Sequence, residues 1–320
     1  MRFTFTPEQE SFAATLDKLL AGAGTVAAAR AWAEDDTAPG LALWQRLAEQ
    51  GVNALLVPEE SGGMGASGVE LAIAFEALGR HAVPGPWVES AAYLPLALAD
   101  TTVLCELAEG AVASVAVAPH VPRALDADLA THLYAADAAG NLATAAVGER
   151  AHSVDPTRRL YAVTAGDQVA TGDPAAAFDA AVVATAAQLL GAGERILDDA
   201  VTYVKQRRQF GREIGSYQAI KHQLADVRIA LDFARPLVFG AALSLGTPEG
   251  SRDASAAKVA CADAVYLASR VGLQVHGAIG YTAEFDLSLW LMKVRALVTA
   301  WGTPAHHRAA ILDALVAAGA

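Results

Sequence analysis

A chain of 320 residues, 54% of them hydrophobic, is long enough to bury one large core or two to three smaller ones. Its formal charge of −12 excludes a general nucleic-acid binder, which draws on a broadly basic face. Only 18% of residues are charged, a composition suited to close-packed helices and to subunit interfaces. Two cysteines, Cys105 and Cys261, form neither a disulfide framework nor a zinc set. The opening MRFTFTPEQESF lacks the apolar core of a signal peptide, and no run approaches twenty uninterrupted apolar residues. A soluble, reduced, cytoplasmic protein is the expectation.

Along the chain, TPEQESFAATLDKLLA begins a helix with Thr6 as N-cap, Pro7 at the first helical position and Gln9 at capping-box spacing. LALWQRLAEQG and VELAIAFEALGR follow with helical spacing and end at Gly or Gly-Arg. From about residue 103 the texture changes. ASVAVAP, ATAAVG and RLYAVTAG are short valine- and alanine-rich runs separated by Pro, Gly, Asp and Asn, and they predict strands. After GDP at 172–174 long segments carry few helix breakers: 176–209, 216–245, 250–275 and 303–318. The predicted fold class is mainly α with a small β insert. It divides into an N-terminal helical domain (1–101), a reduced β-domain (102–174) and a C-terminal helical bundle (175–320).

Several candidate motifs yield to simpler explanations. Gly63, Gly65 and Gly68 satisfy G-x-G-x-x-G, but Pro58–Ser61 separates them from the preceding apolar run and no βαβ alternation follows. A tight loop entering a helix is the expected reading. His306 and His307 are adjacent, so on a helix they point about 100° apart and do not face one metal ion. A solvated or interface pair is expected there, and no metal site anywhere. Glu194, Asp198 and Asp199 read as a charged outer helix face.

KQRRQFGREIG at 205–215 is different, because it concentrates Lys205, Arg207, Arg208 and Arg212 in an acidic chain. If the helix runs through 209, Arg207 falls on the apolar stripe of Ile196, Ala200 and Val204. The other three cations lie on another face. A buried Arg207 needs an anion. Phe210 and Gly211 then suggest an aromatic anchor and a close backbone approach at the helix end.

YVKQRRQFGREIGSYQAIKHQLADV resembles the Y-x-x-x-R-x-Q-F-G-x-x-I-x-x-x-Q-x-x-x-x-x-L-A-D segment of the acyl-CoA dehydrogenase flavoproteins. LQVHGAIGYTAEFDL is similar to their Q-x-x-G-G-x-G-Y-x-x-E stretch, and residues 47–86 resemble their first helical domain. The resemblance implies a helical N-domain, a β-domain and a C-terminal four-helix bundle, with FAD lying across a subunit interface. It implies FAD-binding roles for Arg207, Gln209, Phe210, Gly211, Gln218, Gln274, His276, Gly277, Ala278 and Thr303. Ala278 stands where the family usually has a second glycine.

The family reaction needs a carboxylate to take the α-proton of an acyl-CoA thioester. Extending the alignment without gaps puts Trp301 at that position, and an indole is no base. The alternative position on the long helix is Ala181. Asp179 is a weak candidate, since two residues turn a helix by about 200°, and Glu284 lies beside the cofactor's far end. The β region also lacks T-E-P-x-A-G-S-D and W-I-T-N segments. The chain thus resembles the small, base-lacking subunit of α2β2 acyl-CoA dehydrogenases of actinobacterial steroid degradation. That resemblance implies a larger catalytic partner, a bulky steroid-derived acyl-CoA and an electron-transfer acceptor. Two alternatives stay open: a self-sufficient enzyme with an atypical base, and a flavin-free structural or acyl-CoA-binding paralogue.

Overall fold

Thr6 starts the first helix as its spacing to Gln9 predicts. Its hydroxyl accepts the Gln9 N–H, and the Gln9 side chain accepts the Thr6 N–H. The structure, a computed structural model, describes residues 4–319. Helices α1 (Pro7–Ala21), α2 (Thr25–Ala33), α3 (Ala38–Ala48) and α4 (Gly68–Arg80) come first. A π-turn at Glu89–Tyr93 leads into the short α5 (Leu94–Ala97), and α6 (Thr101–Ala108) follows. Ser67 and Glu70 form a second capping box at the start of α4, so Gly63 and Gly65 lie in a tight loop that enters the helix at Gly68, as expected. A Cβ on Gly63 would lie 2.0 Å from the Val57 carbonyl oxygen.

The β region is one five-stranded sheet: β1 (Ala113–Val117), β2 (Ala124–Leu125), β3 (His132–Ala136), β4 (Leu142–Ala151) and β5 (Leu160–Gln168), in spatial order β1-β3-β4-β5-β2. The β1–β3 pair is parallel and the other pairs are antiparallel. Strand β1 is buried throughout, whereas most of β4 and β5 is open to solvent. The sequence runs locate β1, β4 and β5 but not β2 or β3. Two residues are too few for a pattern, and His132 and Tyr134 break the apolar texture of β3.

The helical region begins with α7 (Pro174–Gln206). A small hairpin follows, β6 (Arg208–Gln209) with β7 (Arg212–Glu213), then α8 (Gln218–Ser244), α9 (Gly250–His276), α10 (Leu287–Leu297) and α11 (Pro304–Ala317). Helix α9 packs on α7, α8 and α11. By length and composition α7 could cross a membrane, yet 78% of its most apolar window is buried within the fold. Its contact with α4 is very close: a Cβ on Gly191 would lie 1.9 Å from the Glu76 carbonyl oxygen, and one on Gly79 2.0 Å from that of Gln188. Only glycine lets two helix backbones approach so far.

The expected outer face of α7 needs correction. Asp198 is exposed, but Glu194 is only 7% exposed. Its carboxylate accepts two 2.6 Å bonds from Arg228 and one of 3.0 Å from Arg235, which also grips Glu76 at 2.6 and 2.9 Å. The partners come from α8, so the charge pattern of α7 alone carries no sign of them. Burial pushes the Glu194 pKa up, but the two arginines outweigh it and hold the group below its ordinary value.

Glu194→Ala leaves Arg228 without its main partner and Arg235 without its second one, and should lower stability by about 1–3 kcal/mol at pH 7, read from urea unfolding. Because the folded pKa is depressed, that stabilisation is present above the unfolded pKa and disappears as pH falls through the folded one. The gap between variant and wild type should therefore shrink below about pH 4.

Candidate cofactor interface and the filled base position

Helix α7 stops at Gln206, one residue before Arg207, whose backbone is extended at φ −74° and ψ 122°. The buried-stripe placement of Arg207 is therefore wrong: the residue is exposed. Its carbonyl accepts the Ile214 N–H at 2.9 Å and so closes the hairpin. Phe210 and Gly211 have φ of +52° and +82°, the left-handed pair that a two-residue hairpin turn demands. Gly211 would meet nothing within 4 Å through an added Cβ, so turn geometry, not close approach within the chain, calls for it. Phe210 is 91% exposed at the tip.

The three arginines still differ, for a reason other than helical phase. Arg208 lies 3.6 Å from Glu213, and Arg212 stacks 3.9 Å from the Tyr217 ring centre. Among the described residues Arg207 has no ion-pair or side-chain hydrogen-bond partner. Gln209 and Gln218 are exposed beside it. The end of α9 is tied to the same place. The His276 ring stacks on Tyr203 with centres 4.2 Å apart and meets Phe285 at 5.2 Å. Its Nδ1–H donates to the Gly272 carbonyl at 2.7 Å, while its buried Nε2 has no partner. Gln274, Gly277 and Ala278 are exposed alongside, and Gly277 ends α9 at φ +64°. An unpaired guanidinium and an exposed aromatic tip fit a dianionic, aromatic cofactor such as FAD approaching from outside the chain.

Thr303 is not part of this group. It caps α11, its hydroxyl accepting the His306 N–H at 3.2 Å. It follows Trp301, whose ring lies 6.0 Å from Phe178 near the start of α7 and 5.1 Å from Tyr93. Twenty-five residues of continuous helix separate Phe178 from Tyr203, roughly 38 Å at about 1.5 Å per residue. The hairpin and the Trp301 loop thus stand at opposite ends of α7.

The Trp301 loop is held from beneath. Trp301 is 1% exposed with φ +56°, a costly conformation for a bulky residue. Lys258 is fully buried and donates to the carbonyls of Leu297 and Val298 at 3.0 Å and of Gly302 at 3.4 Å. Desolvation brings its pKa down to about 7. The His307 Nε2 lies 2.9 Å from the Trp301 carbonyl, which only accepts, so Nε2 carries the proton and Nδ1 accepts from the Ser255 hydroxyl at 3.0 Å. Desolvation, with Lys258 nearby, lowers the His307 pKa to about 4. The expectation of a solvated or interface histidine pair is overturned for His307, which is fully buried.

No carboxylate replaces the missing base at either family position. Ala181 is sealed in the core. Asp179 is half-buried on the wall of a groove shared with His120, Phe178, Ser251 and His306. Its Oδ2 accepts the Ser251 hydroxyl at 2.6 Å, and burial raises its pKa. Glu284 is exposed near the end of α9. Sequence reasoning missed Glu89, which is 1% exposed on the π-turn, has no hydrogen-bond partner and lies beside Trp301. Nothing local marks it. Lys258 did leave a signal: it interrupts the stripe Ala254, Ala257, Cys261, Val265 on α9, and a lysine on a buried stripe calls for acceptors.

Trp301→Ala should cost about 3–5 kcal/mol in chemical denaturation through the cavity it leaves. His307→Gln tests the anchor by pH. A histidine with a depressed folded pKa favours folding increasingly as pH rises from about 4 to 6.5. The urea midpoint of wild type should gain on that of the variant across this window, and parallel curves would contradict the buried neutral imidazole.

Comparison with known proteins agrees with this architecture. Residues 6–100 match the acyl-CoA dehydrogenase N-terminal domain and residues 174–316 the acyl-CoA dehydrogenase C-terminal domain. The chain is 34% identical over 304 residues to the acyl-CoA dehydrogenase IpdE2 of Mycolicibacterium smegmatis, covering 93% of this chain and 95% of the relative. With IpdE2 of Mycobacterium tuberculosis it shares 35% over 295 residues, 89% and 90% of the two chains. Among solved structures, the steroid ACAD Tcur3481-Tcur3483 superposes with a TM-score of 0.85 at 21% identity, over 98% of both chains. The ChsE4-ChsE5 complex from Mycobacterium tuberculosis does so at 0.83 and 19%, over 99% of both. The chain belongs to the acyl-CoA dehydrogenase family.

Proposed function

We propose that this chain is the base-lacking subunit of a two-component acyl-CoA dehydrogenase and completes the FAD site of a larger catalytic partner. One observation carries the reading: the cofactor-directed hairpin and the family's base position lie at opposite ends of α7, and Trp301 fills the latter. With Trp301 at that position, the base for a flavin reached by Arg207 has to come from a partner subunit. When bound, FAD would supply the acceptor for the hydride leaving the β-carbon of the acyl thioester. On this reading Arg207 and the hairpin N–H groups hold its pyrophosphate, Phe210 packs on the partner, and Gln274, His276, Gly277 and Ala278 line its adenosine end. Gln209 and Gln218 flank the same site, and Thr303 acts as a helix cap. The 1–101, 102–174 and 175–320 segments are the proposed domains.

Apolar surface supports a partner. Phe233, Leu237 and Ile229 on α8, Tyr266 and Leu267 on α9, and Tyr281 are exposed large hydrophobic residues, more than scattered surface residues explain. The relation to IpdE2 and the fold likeness to the ChsE4-ChsE5 and Tcur3481-Tcur3483 proteins support a heteromeric assembly acting on a bulky, steroid-derived acyl-CoA. A self-sufficient enzyme using Asp179 draws on that residue's raised pKa and groove position. Against it stand the tie to Ser251 and the distance from the hairpin.

Expression alone and together with a longer relative carrying a glutamate at one of the two base positions tests the proposal. The chain alone should hold little FAD and leave acyl-CoA unoxidised, while the complex should do both. Stoichiometric FAD and turnover by the isolated chain would sink it. In the complex, Arg207→Ala should lower FAD occupancy several-fold. Arg208→Ala, which removes a cation already paired with Glu213, should change it much less.

A further inference from the structure

The stretch between α9 and α10 carries residues of the proposed cofactor site, yet its own hydrogen bonds are local. Gly277–Tyr281 forms one short helical turn, and Gly277, Ala278 and Ile279 are exposed. The Thr282 N–H donates to the Ile279 carbonyl at 3.1 Å, and the Phe285 N–H to that of Thr282 at 3.2 Å. Turns closed over so few residues set local shape but not position relative to the rest of a fold. Position comes from the other end of the chain. Arg30, in the last turn of α2, donates through Nη1 to the Ala283 carbonyl at 2.5 Å. Through Nη2 it reaches the Glu284 carbonyl at 3.3 Å and the Asp286 Oδ1 at 2.9 Å. Among the described residues, no other hydrogen bond ties 277–286 to a residue outside α9 and α10.

This grip is a matter of geometry more than of stability. The side chains of Arg30 and Asp286 are 36% and 54% exposed, and a pair so wet adds little to folding. One planar fork on three acceptors within four residues does fix an orientation. The platform beneath it is firm: Ala28 and Ala29 are buried, and Trp32, about 200° around the helix from Arg30, donates its Nε1–H to Asp126 at 3.0 Å. Phe285 lies between the gripped residues Glu284 and Asp286. Its ring meets that of His276 at 5.2 Å, and His276 stacks on Tyr203 at 4.2 Å, in the last turn of α7. The Tyr203 carbonyl accepts the Arg207 N–H, where the hairpin begins. Through Phe285 and His276 the fork therefore reaches both the exposed Gly277–Ala278 edge and the base of the hairpin.

We propose that Arg30 is a positioning residue for the cofactor, holding 277–286 so that Gly277 and Ala278 meet its adenosine end. The inference rests on the proposed cofactor site and adds to it a residue of the N-terminal helices.

Two measurements separate the inference from that reading. In the isolated chain, hydrogen exchange read by mass spectrometry should run about fivefold faster at 277–286 in Arg30→Met, with α4 and α7 unchanged. In the complex with the longer relative, Arg30→Met should raise the Kd for FAD about fivefold, while kcat at saturating FAD falls less than twofold. Arg30→Lys, which keeps a donor but loses the fork, should fall between. Arg80→Met breaks an ion pair of matching exposure, 38% and 54%, between α4 and α7, and should alter neither readout. Unchanged exchange in Arg30→Met overturns the inference, as does faster exchange with FAD held as tightly as by wild type. Equal acceleration in every helix, or equal effects from Arg80→Met, marks a general loss of stability and overturns it too. FAD missing from the wild-type complex instead removes the cofactor-site reading, and the positioning role with it.

Discussion

The close packing of α7 against α4 and α9 governs the rest of the molecule. Gly79 and Gly191 let the α4 and α7 backbones approach to a distance no side chain tolerates, and from Ala180 to Glu194 every residue of α7 is buried. A helix held on all sides for that length acts as a rigid spacer. It fixes the hairpin at one end and the Trp301 loop at the other. The two regions that the proposed function turns on are thereby held apart within this chain.

At the Trp301 end, polar groups are spent on holding a loop rather than on catalysis. Lys258 ties the carbonyls at the end of α10, and His307 bridges Ser255 to the Trp301 carbonyl. These bonds offset the left-handed backbone of Trp301, a conformation that costs of order 1–3 kcal/mol. The indole then packs on Tyr93 and Phe178. The position is a filled core site, and simple restoration of a carboxylate would place a charge in apolar surroundings.

Surface electrostatics run against the net charge at two places. At the hairpin, Arg207 is free while Arg208 and Arg212 are engaged by Glu213 and Tyr217. In a cleft below α10, Arg123, Arg158 and Arg295 lie together with no acid opposite. Like charges placed together repel one another, a cost that the acidic surroundings offset in part, and weak screening inside a cleft makes them effective toward anions. Helices α8 and α9 add exposed aromatic and aliphatic residues to this charged surface chemistry.

Local chemistry made much of the fold legible from sequence: the two capping boxes, the valine-rich runs of β1, β4 and β5, and the breaker-poor helices each depend on residues within a few positions. The R-x-Q-F-G and Q-x-x-G segments and Trp301 at the base position could be read in the same way, because they are contiguous motifs. What the sequence could not reveal was where α7 ends. The apolar stripe invited extension through Arg207, but the turn at Phe210–Gly211 and the Ile214–Arg207 bond pull that residue out of the helix. Burial of Glu194, Lys258 and His307, and the isolation of Glu89, depend on partners tens to hundreds of residues away. Only the tertiary structure decides such matters, since the free energy of a polar group is set by what the fold places opposite it.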